Sequence, residues 1–256
     1  MKKLTAFLLL ATLAVISFAQ VAKDSKMPVT TKSDKALALY MEAMTSFEDV
    51  NFNAANTHLI DALKADPDFF MANYQMAMSN IGNKEKMTPY ANAALNCKAK
   101  LSRAEELIKS SLSRLVADPK ADVRDIGLKL VEMYPRDIMA YYFLNSFQGM
   151  AQDIAGCEKT LLKGLDITNN PAPVYNMLGY TYLNLKMPDK ACKAFDKYIE
   201  LAPKNPNAYD SKGDYFMSTK EYRKAYDSYM KAHSIDTAWS YKNAQKAKHL
   251  ADSLGI

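Results

Sequence analysis

The feature that most constrains this chain is a set of matching residues 34 positions apart. Tyr175 aligns with Tyr209, Gly179 with Gly213, Tyr182 with Phe216, Ala191 with Ala225, and Phe195 with Tyr229. A fixed period of this length implies a stacked array. One short supersecondary unit cannot bury its apolar face alone, so its neighbours must cover it. The period has room for two helices of about 11–12 residues and two turns. Proline marks unit ends at Pro67, Pro135 and Pro203, where its ring stops a helix by clashing with the preceding turn. Only 8 of 256 residues are glycine, which weighs against a turn-rich β fold.

The register extends back through the chain, with units starting at Ala36, Phe70, Ala104, Ile138, Ala172 and Pro206. The eighth position is then Ala43, Ala77, Ser111, Asn145, Gly179 or Gly213, all small or modest in size. Ser102 with Glu105 forms a capping box at the third unit, and Asn205-Pro206 supplies a cap and a first-turn proline at the sixth. The second and third units fit least well. Pro89 and Gly127 stand where packing residues are expected, and Gly82 to Pro89 reads as a lengthened turn.

A small residue in the first helix, then alanine and an aromatic in the second, resembles the tetratricopeptide repeat. The resemblance spans about residues 36–239. It implies an all-α fold: a right-handed α-solenoid of about six helix-turn-helix units. Residues 240–256, rich in Lys and Gln, are expected to form a capping helix with a polar outer face. Residues 20–35 have no helical periodicity and are expected to be a flexible lead-in.

Residues 1–19 read as a secretory signal peptide: Lys2 and Lys3, an apolar run from Leu4 to Phe18, and small residues at Ser17 and Ala19. The ending Ser17-Phe18-Ala19-Gln20 resembles leaders of exported Bacteroidota proteins. The expected location is periplasmic or secreted, with no membrane span after cleavage. The formal net charge is +5, two units of which are Lys2 and Lys3, and the remaining basic residues are scattered. Nucleic acid is therefore not an expected partner, since it calls for a denser basic stripe. Cys97, Cys157 and Cys192 form no Cys-x-x-Cys pair and read as small core residues. A Cys157–Cys192 bridge stays open at this level.

No catalytic constellation, cofactor motif or metal spacing is found. His58, His233 and His249 are far apart, and no phosphate loop, His-Glu-x-x-His or Gly-x-Ser-x-Gly pattern occurs. An enzyme is not expected, and Glu105 with Glu106 reads as a solvated pair favouring a helix dipole. In the resembled family the concave wall carries first-helix positions 2, 5, 9 and 12. Carried over here, the near end of the wall offers Leu37, Tyr40, Met44, Phe47, Met71, Tyr74, Met78 and Ile81. The far end offers Tyr142, Asn176, Tyr180, Asp210 and Asp214. The expected function is a non-catalytic protein–protein interaction scaffold of the cell envelope. Its groove would take an apolar or aromatic segment of a protein or peptide, with a basic group near Asp210 and Asp214. The alternatives are a self-associating subunit using the apolar N-terminal face, so that a homo-oligomer is open, and a helical-solenoid enzyme or small-ligand binder.

Overall fold

The computed structural model describes residues 26–255. The expected leader lies outside the described residues, as do residues 20–25 of the lead-in. Among the described residues there are thirteen α-helices and no strand. They fall into six helix-turn-helix pairs: α1 (Asp34–Glu48) with α2 (Phe52–Ala65), α3 (Phe70–Ser79) with α4 (Lys84–Leu95), and α5 (Arg103–Ala117) with α6 (Arg124–Met133). Next come α7 (Ile138–Met150) with α8 (Ile154–Leu165), α9 (Ala172–Asn184) with α10 (Pro188–Leu201), and α11 (Pro206–Ser218) with α12 (Tyr222–Ile235). A last helix, α13 (Tyr241–Ser253), closes the series. No helix among the described residues is long and apolar enough to cross a membrane.

The period is written in the backbone as well as the side chains. Val50, Gln152, Lys186 and Lys220 each end a first helix in the left-handed region, at φ 59°, 58°, 59° and 63°. After three of these residues the next amide closes a six-to-one bond: Asn51 to Ser46, Met187 to Tyr182 and Glu221 to Phe216. This is a Schellman-type stop, built here without the usual glycine.

The expected long turn from Gly82 to Pro89 is not what forms. Helix α4 begins at Lys84, and Pro89 lies inside it. Asn83 caps the start by accepting from the Lys86 amide. A proline there removes one helical hydrogen bond, and the cap and an acidic first turn oppose that cost.

The chain divides into two compact units. The first comprises residues 26–40 and 59–152, and the second comprises residues 41–58 and 153–255. In the first unit a run of rings forms the core. Tyr40 lies 5.3 Å from Phe69, Tyr74 6.2 Å from Phe70 and 5.7 Å from Phe143, and Phe143 6.0 Å from Phe147. Tilted rings at this spacing satisfy the aromatic quadrupoles while excluding water. Gly127 of α6 is not a lost packing residue. A Cβ there would sit 2.7 Å from the Leu144 Cα, so the missing side chain lets α6 and α7 touch.

In the second unit the repeat glycines do the same. A Cβ at Gly179 would fall 2.4 Å from the Phe195 ring. The capping helix packs Ala244 and Ala247 onto Ala225 and Tyr229.

Candidate functional site

The first unit carries a feature that the lead-in reading did not anticipate. Residues 26–33 have no helical structure, yet they are fastened to the helix pairs at several points. The Met27 amide donates to Asp137 Oδ2 at 2.7 Å. The Thr30 amide donates to Glu105 Oε1 at 2.7 Å, and the Thr30 hydroxyl donates to Oε2 at 2.6 Å. The Thr31 hydroxyl donates to Asp66 Oδ2 at 2.5 Å. Ser33 then caps α1 by accepting from the Ala36 amide at 3.1 Å. The segment is thus a strap, where flexibility had been expected.

Each anchor is a helix-start or turn carboxylate serving two masters. Glu105 completes the capping box with Ser102, accepting from its amide at 2.8 Å, and takes the strap as well. Asp137 caps α7 through Oδ1 while Oδ2 takes the strap. Asp66 accepts from the Asp68 amide through Oδ1, leaving Oδ2 for Thr31. The expected solvated pair is corrected here for Glu105, which is 0 % exposed, because the strap lies over it. A buried carboxylate must be hydrogen-bonded, and these bonds to an ionised acceptor are of the stronger kind. Lys26 adds a weaker contact, 3.6 Å from Asp137 with its own side chain in solvent.

The expected groove residues divide between the two units. In the first unit, Tyr40, Met71 and Tyr74 are buried and belong to the ring core. Burial pushes the Tyr74 hydroxyl well above its ordinary pKa. Leu37, Met78 and Tyr142 are half-buried, and Ile81 is exposed. An accessible apolar wall across all these residues is therefore absent, because three of its largest side chains already pack inside the unit.

In the second unit, Met44 and Phe47 are half-buried, and the Phe47 ring lies tilted 6.1 Å from that of Phe52. Asn176 is buried, and its Oδ1 has no hydrogen-bond partner among the described residues. Tyr180 and Asp214 do meet: the Tyr180 hydroxyl donates to Oδ2 at 2.8 Å, and Tyr229 donates to Oδ1 at 2.6 Å. Burial, with Asp214 adding to it, pushes both phenols up. Asp210 accepts from the Ser240 hydroxyl. The two carboxylates expected to await a basic group are thus taken up by hydroxyls of their own unit.

Asp210 gives a pH prediction. Burial, then the charge of Asp214, raises its carboxyl above the ordinary carboxylate range against the opposing Ser240 bond. The folded state therefore holds this proton more tightly than the unfolded chain does. The contribution favours folding below the unfolded value of about 4 and is lost as pH rises through the folded value. Asp210→Asn keeps an acceptor for Ser240 and removes the charge. Its urea midpoint should exceed the wild type's at pH 7, with the gain shrinking as pH falls towards about 4.

None of the three cysteines is in a disulfide, so no bridge joins Cys157 to Cys192. Cys192 Sγ lies 3.0 Å from the buried Lys212 ammonium, which pairs with Asp196 at 2.7 Å. No group of His, Cys, Asp and Glu suited to a metal is found among the described residues.

Comparison with known proteins agrees with this architecture at one repeat. The tetratricopeptide repeat family model matches residues 172–205, which hold α9 and α10. No curated protein matches the sequence. Among solved structures, PilW, described as a widely conserved type IV pilus biogenesis factor, is 17% identical with a TM-score of 0.49, covering 83% of this chain and 98% of that one. A thermophilic TPR protein of Thermus thermophilus is 16% identical with a TM-score of 0.48, covering 86% and 100%. YrrB, described as a TPR protein with an unusual peptide-binding site, is 17% identical with a TM-score of 0.47, covering 75% and 97%.

Proposed function

We propose that this chain, built from tetratricopeptide-type helix pairs, is a non-catalytic protein–protein interaction scaffold of the cell envelope. It holds an extended segment of a protein partner against its first helices. The observation that carries this reading is the strap itself. The face of the first unit already seats a non-helical stretch of polypeptide, and carboxylates on three helix pairs read its amides and hydroxyls. Backbone donors give such a face affinity for extended peptide, and the side-chain sites give it selectivity. The leader-like residues 1–19 support export to the envelope.

The test must avoid Tyr74, because a charge at that buried ring would break the core rather than probe a surface. A photoreactive residue is placed instead at the half-buried Met78, with exposed Leu128 on α6 as the control position. The native host is irradiated and crosslinked products are identified by mass spectrometry. A small, reproducible set of envelope proteins from position 78 and not from 128 is the expected result. Equal products from both positions, or recovery of the chain alone, would overturn the reading.

A further inference from the structure

Resting on that scaffold reading, we infer that the strap is a resident competitor: the partner's segment shares its chemistry and must displace it to bind. Three observations support this. The strap is non-helical and its donors reach carboxylates on three helix pairs, so it offers donors that another non-helical segment can also offer. Its anchors are carboxylates that also serve a cap or a turn, Asp137 and Asp66 through the other oxygen and Glu105 through the oxygen it shares with the Thr30 hydroxyl, so the face stays formed when the strap leaves. Its polar contacts use three amides, two hydroxyls and one carbonyl, the last accepting from Ser102 at 3.5 Å, with one outlying ammonium, a pattern another sequence can reproduce.

The pattern names the partner segment. It carries a basic residue at the place of Lys26, with hydroxyl residues four and five positions on at the places of Thr30 and Thr31. Pro28 between them has no amide to lose and keeps the segment extended. A tethered strap acts at a local concentration of order millimolar. It therefore weakens a partner's apparent affinity in proportion to the time it is seated. Loosening it should raise affinity without touching the face.

The experiment uses the full chain and a fluorescent, end-blocked peptide of residues 26–33. Thr30→Ala with Thr31→Ala in the protein removes the strap's hydroxyls and leaves Asp66, Glu105 and Asp137 in place. Trypsin cleavage after Lys32 reports release of the strap. The double variant should be cut faster and bind the peptide saturably, about tenfold or more tighter than wild type. A peptide with valine at both threonine positions should not bind.

Equal peptide binding by wild type and variant would overturn the inference. So would no binding by a variant that is cut faster after Lys32, or a cut after Lys32 no faster than in the wild type. The scaffold reading is judged separately. Partners crosslinked equally by wild type and double variant overturn the competition and leave the scaffold standing. Peptide binding with no cellular partner leaves the competition standing and removes the scaffold.

Discussion

Gly127→Ala is expected to lower stability by about 2 kcal/mol, seen as a lower urea midpoint in far-ultraviolet circular dichroism. The new methyl would stand 2.7 Å from the Leu144 Cα and 3.0 Å from its Cδ1. Backbone cannot rotate away as the tip of a side chain can, so α6 and α7 must part. Overpacking of this kind costs about 1–3 kcal/mol, and alanine's better helix propensity returns at most about 1. Gly149→Ala in α7 is the control, since a Cβ there meets nothing within 4 Å. It should be neutral or raise stability by up to about 1 kcal/mol. Equal effects at the two positions would show that the close approach of α6 and α7 carries no energetic weight.

Glu105→Ala should cost about 3 kcal/mol, because one carboxylate does two jobs. It closes the capping box with Ser102, a contribution of about 1 kcal/mol, and its bonds to Thr30 involve a charged acceptor, each worth about 1.5–3 kcal/mol less the entropy of holding the strap. The strap should then open, so trypsin should cut after Lys32 faster in this variant. Glu105→Gln keeps one acceptor oxygen and should restore part of both properties. A lower midpoint with unchanged cleavage would separate the cap from the strap.

The helix pairs were legible because close contacts restrict residue type. Gly179 and Gly213 must be small where a ring lies below them, so the period shows in the letters. The unit starts at Phe70, Ile138, Ala172 and Pro206 coincide with the first residues of α3, α7, α9 and α11. The second and third units were harder to read. Asn83 starts α4 despite Pro89, and Gly127 looked like a gap until Leu144 filled it. The strap was not legible, for a physical reason. Asp66, Glu105 and Asp137 look like ordinary helix-start and turn acids, and one oxygen of each is used that way. Sequence carries no sign of what the second oxygen holds. Likewise Asp210 and Asp214 looked like a free acidic pair, because Ser240 and Tyr229, which quench them, are remote in sequence.

The N-terminal segment has a consequence for how this chain reaches its native state. Ordinary repeat arrays grow by contacts between neighbours, and folding can start anywhere and spread. Here Thr30 waits for Glu105 and Met27 for Asp137, while the turn after α1 waits for residues nearer the end: Asn170 donates to Glu48, and Asn205 donates to the Asp49 carbonyl. These closures span 75 to 156 residues, so their loop entropy is spent before any return arrives. Residues 27–30 thus settle only after residues far along the chain are in place. A chain threading out of a narrow channel would carry the turn after its first helix without these partners until Asn205 emerges.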